Sequence, residues 1–131
     1  MEIKIYRVID ANLNRFKEGI RVVEDILRYV FDDFNHSLKL KNLRHLANLE
    51  IQNSAIKFRD CVNDVLKPSL NLELKRENLQ DLISANLKRA QESSRVLEEC
   101  FKLIDLKISE NFKNARYELY DIEKEILNLN L

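Results

Sequence analysis

Two Asn-x-x-Arg-x-x-Glu runs hold the polar side chains best suited to chemistry: Asn12, Arg15 and Glu18, then Asn86, Arg89 and Glu92. Each trio lies in a longer repeat, Ile-x-Ala-Asn-Leu-x-Arg-x-x-Glu-x-x-Arg-Val-x-Glu. It starts at Ile9 and returns 74 residues later at Ile83, with nine identities in sixteen positions. Ordinary composition would give about one. A fainter echo, Lys41-Asn42-Leu43-Arg44-His45 and Lys113-Asn114-Ala115-Arg116-Tyr117, follows at an offset of 72. A guanidinium group grips phosphate or carboxylate oxygens in pairs, and an amide reads both donors and acceptors. Arg15, Arg89 and the adjacent Lys88, if they face a pocket, would therefore bind a phosphorylated or otherwise anionic ligand. The structural alternative is pairing of Arg15 with Glu92 and Arg89 with Glu18, or along the helix between Arg15 and Glu18 and between Arg21 and Glu24. The sequence leaves both open.

A second candidate is Arg59-Asp60-Cys61-Val62-Asn63-Asp64-Val65. In a helix, Asp60 and Asp64 would share a face and could hold a metal ion or a hydroxyl proton; as a capped helix end, the run would be only a solvated salt bridge. Arg116, Tyr117 and Tyr120 form a polar aromatic cluster, for which a tyrosine packed at a helix seam with its hydroxyl outward is the default. No glycine-rich phosphate loop is present, so any nucleotide phosphate would rest on side chains and helix N-termini. His36 and His45 lack metal-site spacing, Cys61 and Cys100 lack ligand partners, and no metal site is read from them. No serine nucleophile with its own base stands out.

The elements that must position these groups are helices. One Gly and one Pro in 131 residues leave little material for turns. Ile5, Val8, Ile9, Leu13, Phe16, Ile20, Val23, Leu27 and Val30 recur in steps of three and four and predict a helix from about Ile3 to Phe31. Turn and capping residues fill 32–37, and a second helix runs from about Leu40 to Phe58. Residues 59–71 form a connector. A third helix starts at Leu74 or Leu79 and runs to Ile104; Ser109 is the expected N-cap of a fourth. On a helical projection Asn12 falls inside the apolar stripe and Arg15 at its edge, and the second copy behaves alike. The expectation is an all-α protein, a four-helix bundle built from two duplicated helical hairpins with pseudo-two-fold symmetry. It would be a single helical domain over residues 1–131, with repeat units at about 3–58 and 74–129.

Apolar residues make up 45% of the chain and charged residues 34%, with 22 basic against 22 acidic groups. Neutrality argues against nucleic acid or an acidic membrane as partner. No apolar run approaches a membrane span, and the charged N-terminus does not resemble a signal peptide. Two thiols without a partner motif fit a cytoplasmic protein. A homodimer is an open expectation.

Asp10-Ala11-Asn12-Leu13-Asn14-Arg15 and Glu18-Gly19-Ile20-Arg21-Val22-Val23-Glu24-Asp25 resemble the opening of a small helical domain of thiamine biosynthesis. That domain occurs ahead of thiamine-phosphate synthase and also alone. Leu43-Arg44-His45, Arg59-Asp60, Asp64-Val65, Ala85 to Glu92, Arg95 to Glu99 and Ala115 to Tyr120 carry the likeness on to about Glu123. The resemblance implies a kinase that converts hydroxymethylpyrimidine phosphate to the diphosphate, with ATP and Mg²⁺. Arg15, Lys88 and Arg89 would then hold phosphates, Asn12 and Asn86 would read the ring amine or a phosphate, and Asp60 or Asp64 would carry the metal. The chain departs from the pattern at Leu66, where the family has Gly, and around Lys67-Pro68-Ser69. With 131 residues, no synthase domain is expected on this chain. The alternative is a non-catalytic helical module that binds the small phosphorylated pyrimidine or docks on thiamine-phosphate synthase.

Overall fold

Ile9, Leu13, Phe16, Ile20, Val23 and Leu27 are all fully buried, and their alternating steps of four and three define the inner stripe of the first helix. A computed structural model describes residues 2–68 and 75–127, and what it describes is all-helical. The elements are α1 (Glu2–Tyr29), α2 (Phe34–His45), α3 (Ile51–Ala55), a 3₁₀ turn (Ile56–Phe58), α4 (Leu79–Phe101) and α5 (Leu106–Leu127). Ser69, Asn71 and Leu74 of the expected connector and third helix, and the repeat end beyond 127, lie outside the described residues. No described helix is long and apolar enough to cross a membrane.

Helix ends follow side-chain chemistry. Asp32 closes α1 at φ 50°, a left-handed conformation that Asp tolerates better than most residues. The Asp33 amide reaches back to the Leu27 carbonyl at 2.8 Å. Asp33 then caps α2 by accepting from the His36 amide at 3.1 Å, so this helix begins inside the stretch expected to be turn. Asn78 caps α4 from the Asp81 amide at 2.8 Å. The N-cap expected at Ser109 is corrected: Asp105 accepts from the amides of Lys107 (3.0 Å) and Ile108 (3.3 Å), and α5 starts at Leu106, four residues earlier than a cap at Ser109 implies. A carboxylate at the first free amides wins over a hydroxyl one turn on. Ser109 is instead buried, donating to the Glu98 carbonyl at 2.7 Å.

The expected continuous second helix is also corrected. It stops at His45, and the chain turns through 46–50 before α3. Ala47 is the last residue of its buried stripe, and Asn48 beyond it is a weak helix former. The turn lets α3 and the 3₁₀ segment fold back along α1 instead of running on past it.

Packing joins α1 to α4, α4 to α5 and α1 to α2. Phe112 of α5 centres the core, edge-on to Phe16 of α1 at 5.4 Å and stacked on Phe101 of α4 at 5.9 Å. At Gly19 α1 packs close against the backbone of α4. A Cβ there would stand 2.9 Å from the Asn86 carbonyl oxygen and 3.3 Å from the Ala90 nitrogen. Both neighbours are backbone, so only a shift of the helices could relieve the clash. Gly19→Ala is expected to destabilise the protein by about 1–3 kcal/mol despite the better helix propensity of alanine. An unchanged thermal midpoint would show that the seam is looser than this.

His36 ties α2 to α5. Its Nδ1 lies 2.6 Å from Asp33 Oδ2 and its Nε2 lies 2.6 Å from Glu125 Oε2. Burial alone would lower its pKa, but the two carboxylates outweigh burial and raise it. A raised folded pKa stabilises fully below the unfolded value of about 6.5 and is lost as pH climbs through the folded one. Asp33 and Glu125 are held low and act oppositely, losing their contribution as pH falls below about 4. The midpoint difference between wild type and His36→Gln should therefore peak near pH 5–6 and shrink by about pH 8, as thermal melts across that range would show.

Candidate functional site

Along the seam of α1 and α4 the two repeats face one cleft of about 670 Å³. Asn12, Arg15, Glu18, Asn86, Arg89 and Glu92 all line it, so the structure brings together both trios that the sequence singled out. Their amides are set alike. Asn12 Nδ2 donates to the Val8 carbonyl and Asn86 Nδ2 to the Leu82 carbonyl, each at 2.9 Å. Turning the amide onto its own helix satisfies the partly buried donor and fixes the side chain. Asn12 is buried and Asn86 half-buried.

The charged members are not paired. Neither the reciprocal bridges Arg15–Glu92 and Arg89–Glu18 nor the Arg15–Glu18 pair is formed among the described residues. All four side chains are exposed on the cleft walls. The expected Arg21–Glu24 pair is also absent: Arg21 bridges Asp25 at 3.2 Å, and Glu24 takes a different arginine.

That arginine belongs to a buried framework missed in the sequence. Arg44 donates to Glu24 through Nε at 2.7 Å and Nη2 at 3.1 Å, linking α2 to α1. Arg116 Nη2 donates to Glu98 at 2.8 Å, linking α5 to α4. Glu24 and Glu98 occupy one repeat position, and Arg44 and Arg116 occupy one position of the fainter echo. The signal was on the page, since a carboxylate and a guanidinium both duplicate. Arg116 also lies under Tyr117 and Tyr120, its guanidinium 5.1 and 5.9 Å from the ring centres. Hydrogen bonds that it donates to Tyr120 and Glu98 push its pKa further up.

Buried Asp10 carries a third ion pair, with the exposed Arg59, that has no counterpart in the second half, where the equivalent residue is Ser84. Arg59 grips it with two bonds, Nε to Oδ2 at 2.7 Å and Nη2 to Oδ1 at 2.8 Å. This fork holds the Asp10 carboxyl below the usual range against the opposing effect of burial. Gln52 completes the network, donating to Asn14 at 3.0 Å and accepting from Lys17 at 2.6 Å. Burial lowers the Lys17 pKa, partly offset by Asp10.

The remaining expected residues lie elsewhere. Lys88 does not line the central cleft; it reaches Glu123 on α5 at 3.2 Å. Asp60 and Asp64 lie in turns, not on one helix face. Asp60 accepts from the Asn63 amide at 3.1 Å and side chain at 2.7 Å, bonds that lower its pKa, while its carbonyl accepts from Arg7 at 2.7 Å. Asp64 accepts from the Leu66 amide at 3.0 Å. Both line a second lobe of about 740 Å³, which shares Asn12, Arg15 and Glu18 with the cleft.

A family model described as the ThiD2 family matches residues 7–125. The chain is similar to the thiamine-phosphate synthase of Prochlorococcus marinus subsp. pastoris, 35% identical over 133 residues that cover 98% of this chain and 37% of that protein. Against the thiamine-phosphate synthase of Synechocystis sp. the figures are 36% identity over 128 residues, 97% of this chain and 37% of the relative. For that of Nostoc punctiforme they are 32% over 127 residues, 94% and 35%. The chain thus spans little more than a third of the curated relatives it matches. No solved structure matches it.

The two classes of arginine should separate on mutation. Arg116→Met strands the buried Glu98 carboxylate and should cost on the order of 3 kcal/mol, largely recovered by adding Glu98→Gln. Arg15→Ala and Arg89→Ala strand nothing and should stay within about 0.5 kcal/mol of wild type. Urea unfolding of the four variants measures this; a large loss in Arg15→Ala would reveal a structural role for that side chain.

Proposed function

The chain belongs to the ThiD2 family, and from that premise we propose that it serves thiamine biosynthesis in the cytoplasm, transferring a phosphoryl group from ATP to hydroxymethylpyrimidine phosphate. An oxygen of the pyrimidine's phosphate bonds to the γ-phosphorus, the bond from that phosphorus to the β,γ-bridging oxygen breaks, and ADP leaves. The observation that carries this reading is the presence of two uncommitted guanidinium groups, Arg15 and Arg89, on one cleft. Phosphoryl transfer asks chiefly for positioning and charge neutralisation, which such groups supply. Asn12 and Asn86 retain their amide oxygens to orient a ligand donor.

The cleft also carries groups that would meet a metal ion brought in by a polyphosphate. Glu18 and Glu92 line it as carboxylates without a hydrogen bond or salt bridge among the described residues. They are better placed to hold Mg²⁺ than Asp60, whose oxygens are engaged by Asn63, or Asp64, engaged by Leu66. When bound, the ion would offset charge on the β- and γ-phosphates.

We further read α1–α2 and α4–α5 as two copies of one hairpin about a pseudo-two-fold axis within a four-helix bundle. The matched ion pairs Glu24–Arg44 and Glu98–Arg116 and the matched Asn back-bonds support this. A second reading, a non-catalytic module that binds the pyrimidine phosphate or docks on thiamine-phosphate synthase, is favoured by one fact. The curated relatives carry the matched region inside longer proteins of that name.

A coupled assay with ATP, Mg²⁺, hydroxymethylpyrimidine phosphate, thiazole phosphate and a separate synthase should yield thiamine phosphate only when this protein is present. Arg15→Ala and Arg89→Ala should each weaken binding of pyrimidine phosphate or ATP about ten- to a hundredfold in calorimetric titration. Binding without turnover would select the module reading, and unchanged affinity in both folded variants would end the phosphate clamp.

A further inference from the structure

The second lobe, beside Arg15, has a composition that phosphate binding does not explain. Val8, Ala11 and Val65 give it an apolar wall, and Val65 is 90% exposed with nothing packed over it. Around that wall stand Asn14, Asn63 and Asp64, groups that accept or donate single hydrogen bonds. Among the described residues the lobe lies on the first-repeat side, where the chain after α3 folds back over α1. The Arg59–Asp10 fork and the Arg7–Asp60 bond pin that return at 2.7 Å each. Lys4, Arg7 and Arg59 line the lobe too, but Asp10 holds Arg59, the Asp60 carbonyl holds Arg7, and four carboxylates match the four basic groups; with the apolar wall this favours a flat ring with amino hydrogens to donate over a free phosphate.

We propose that this lobe is the heterocycle subsite: an amino-substituted nitrogen ring lies against Val8 and Val65, and its phosphate extends past Arg15 into the cleft. This rests on the phosphoryl-transfer reading and adds an order to it. The ring-bearing acceptor lies on the first-repeat side, and the polyphosphate donor lies toward Arg89. The shared lining by Asn12, Arg15 and Glu18 makes the two lobes one continuous trough, as a substrate with a ring at one end and a phosphate at the other requires. The asymmetry between repeats supports the same assignment. Asp10 and Asn14 of the lobe side are Ser84 and Lys88 in the other copy, so the second half has neither the Arg59 anchor nor a returning segment among the described residues.

Val8→Ser/Val65→Ser tests this in the full chain, since both side chains are exposed and their loss leaves the core intact. Three probes are titrated calorimetrically: inorganic pyrophosphate with Mg²⁺, hydroxymethylpyrimidine phosphate, and hydroxymethylpyrimidine without its phosphate. The double variant should bind both pyrimidines at least tenfold more weakly and pyrophosphate within twofold of wild type. Arg89→Ala should do the reverse, losing pyrophosphate while keeping the unphosphorylated ring. Undiminished pyrimidine binding in the double variant, with pyrophosphate still dependent on Arg89, overturns the ring subsite and leaves the phosphate cleft standing. No binding of pyrophosphate or pyrimidine phosphate to wild type overturns both. A melt of each variant confirms that folded protein is compared.

Discussion

The close contact of α1 with α4 at Gly19 is the constraint on which the rest depends. Side chains seven and four residues before it, Asn12 and Arg15, and the matching set on α4 can share a cleft only because the two helices touch here. With the Asn86 carbonyl 2.9 Å from where a Cβ would be, no other residue fits without parting the helices. A wider seam would separate Arg15 from Arg89, so that one phosphate chain could no longer meet both. The only glycine of the chain is therefore spent on a close approach within a helix, and the turns are closed by aspartates and asparagines instead.

The outer helices are held differently. Beyond their apolar stripes, α2 and α5 each dock through one arginine on a buried glutamate of the central pair. Such pairs add little net stability over apolar substitutes, because desolvation offsets most of the attraction. Their value lies in register. Sliding α2 or α5 by a turn would leave Glu24 or Glu98 buried without a partner, which is far more costly than a shifted leucine. Arg59 applies the same device to a loop, fixing the return segment on Asp10 and with it the second lobe. Three charged pairs thereby fix what general hydrophobic packing would leave free to slip.

Much of this was legible in the residues. Periodicity located α1, α4 and most of α5 because their stripes keep one phase over many turns. The polar repeat located the cleft because a core does not require Asn, Arg and Glu to recur together. The break after His45 was not legible, since Leu49, Ile51 and Ile56 continue an apolar pattern that reads equally as helix, while the bond from Arg59 to Asp10 that holds the returning segment joins residues far apart in the chain. The start of α5 was missed by taking the weaker of two capping side chains. Lys88 was placed by its neighbour in sequence, yet one residue is 100° on a helix, enough to turn it from the cleft toward Glu123.

Which charges are paired and which are not is the division that gives the molecule its chemical character. Glu24, Glu98 and Asp10 are buried and spoken for, while Arg15, Arg89, Glu18 and Glu92 stand in the open cleft without partners among the described residues. Had the cleft charges served stability, the duplicated sequence offered ready partners across the seam, and helices this close would have let them meet. Leaving them apart costs little in water, and with Arg76 also on the lining the cleft carries three arginines against two glutamates. Its surplus is cationic, so a phosphate chain meets net attraction there, and a divalent cation carried on that chain would meet Glu18 and Glu92. The excess of arginine over glutamate thus argues for an anionic ligand.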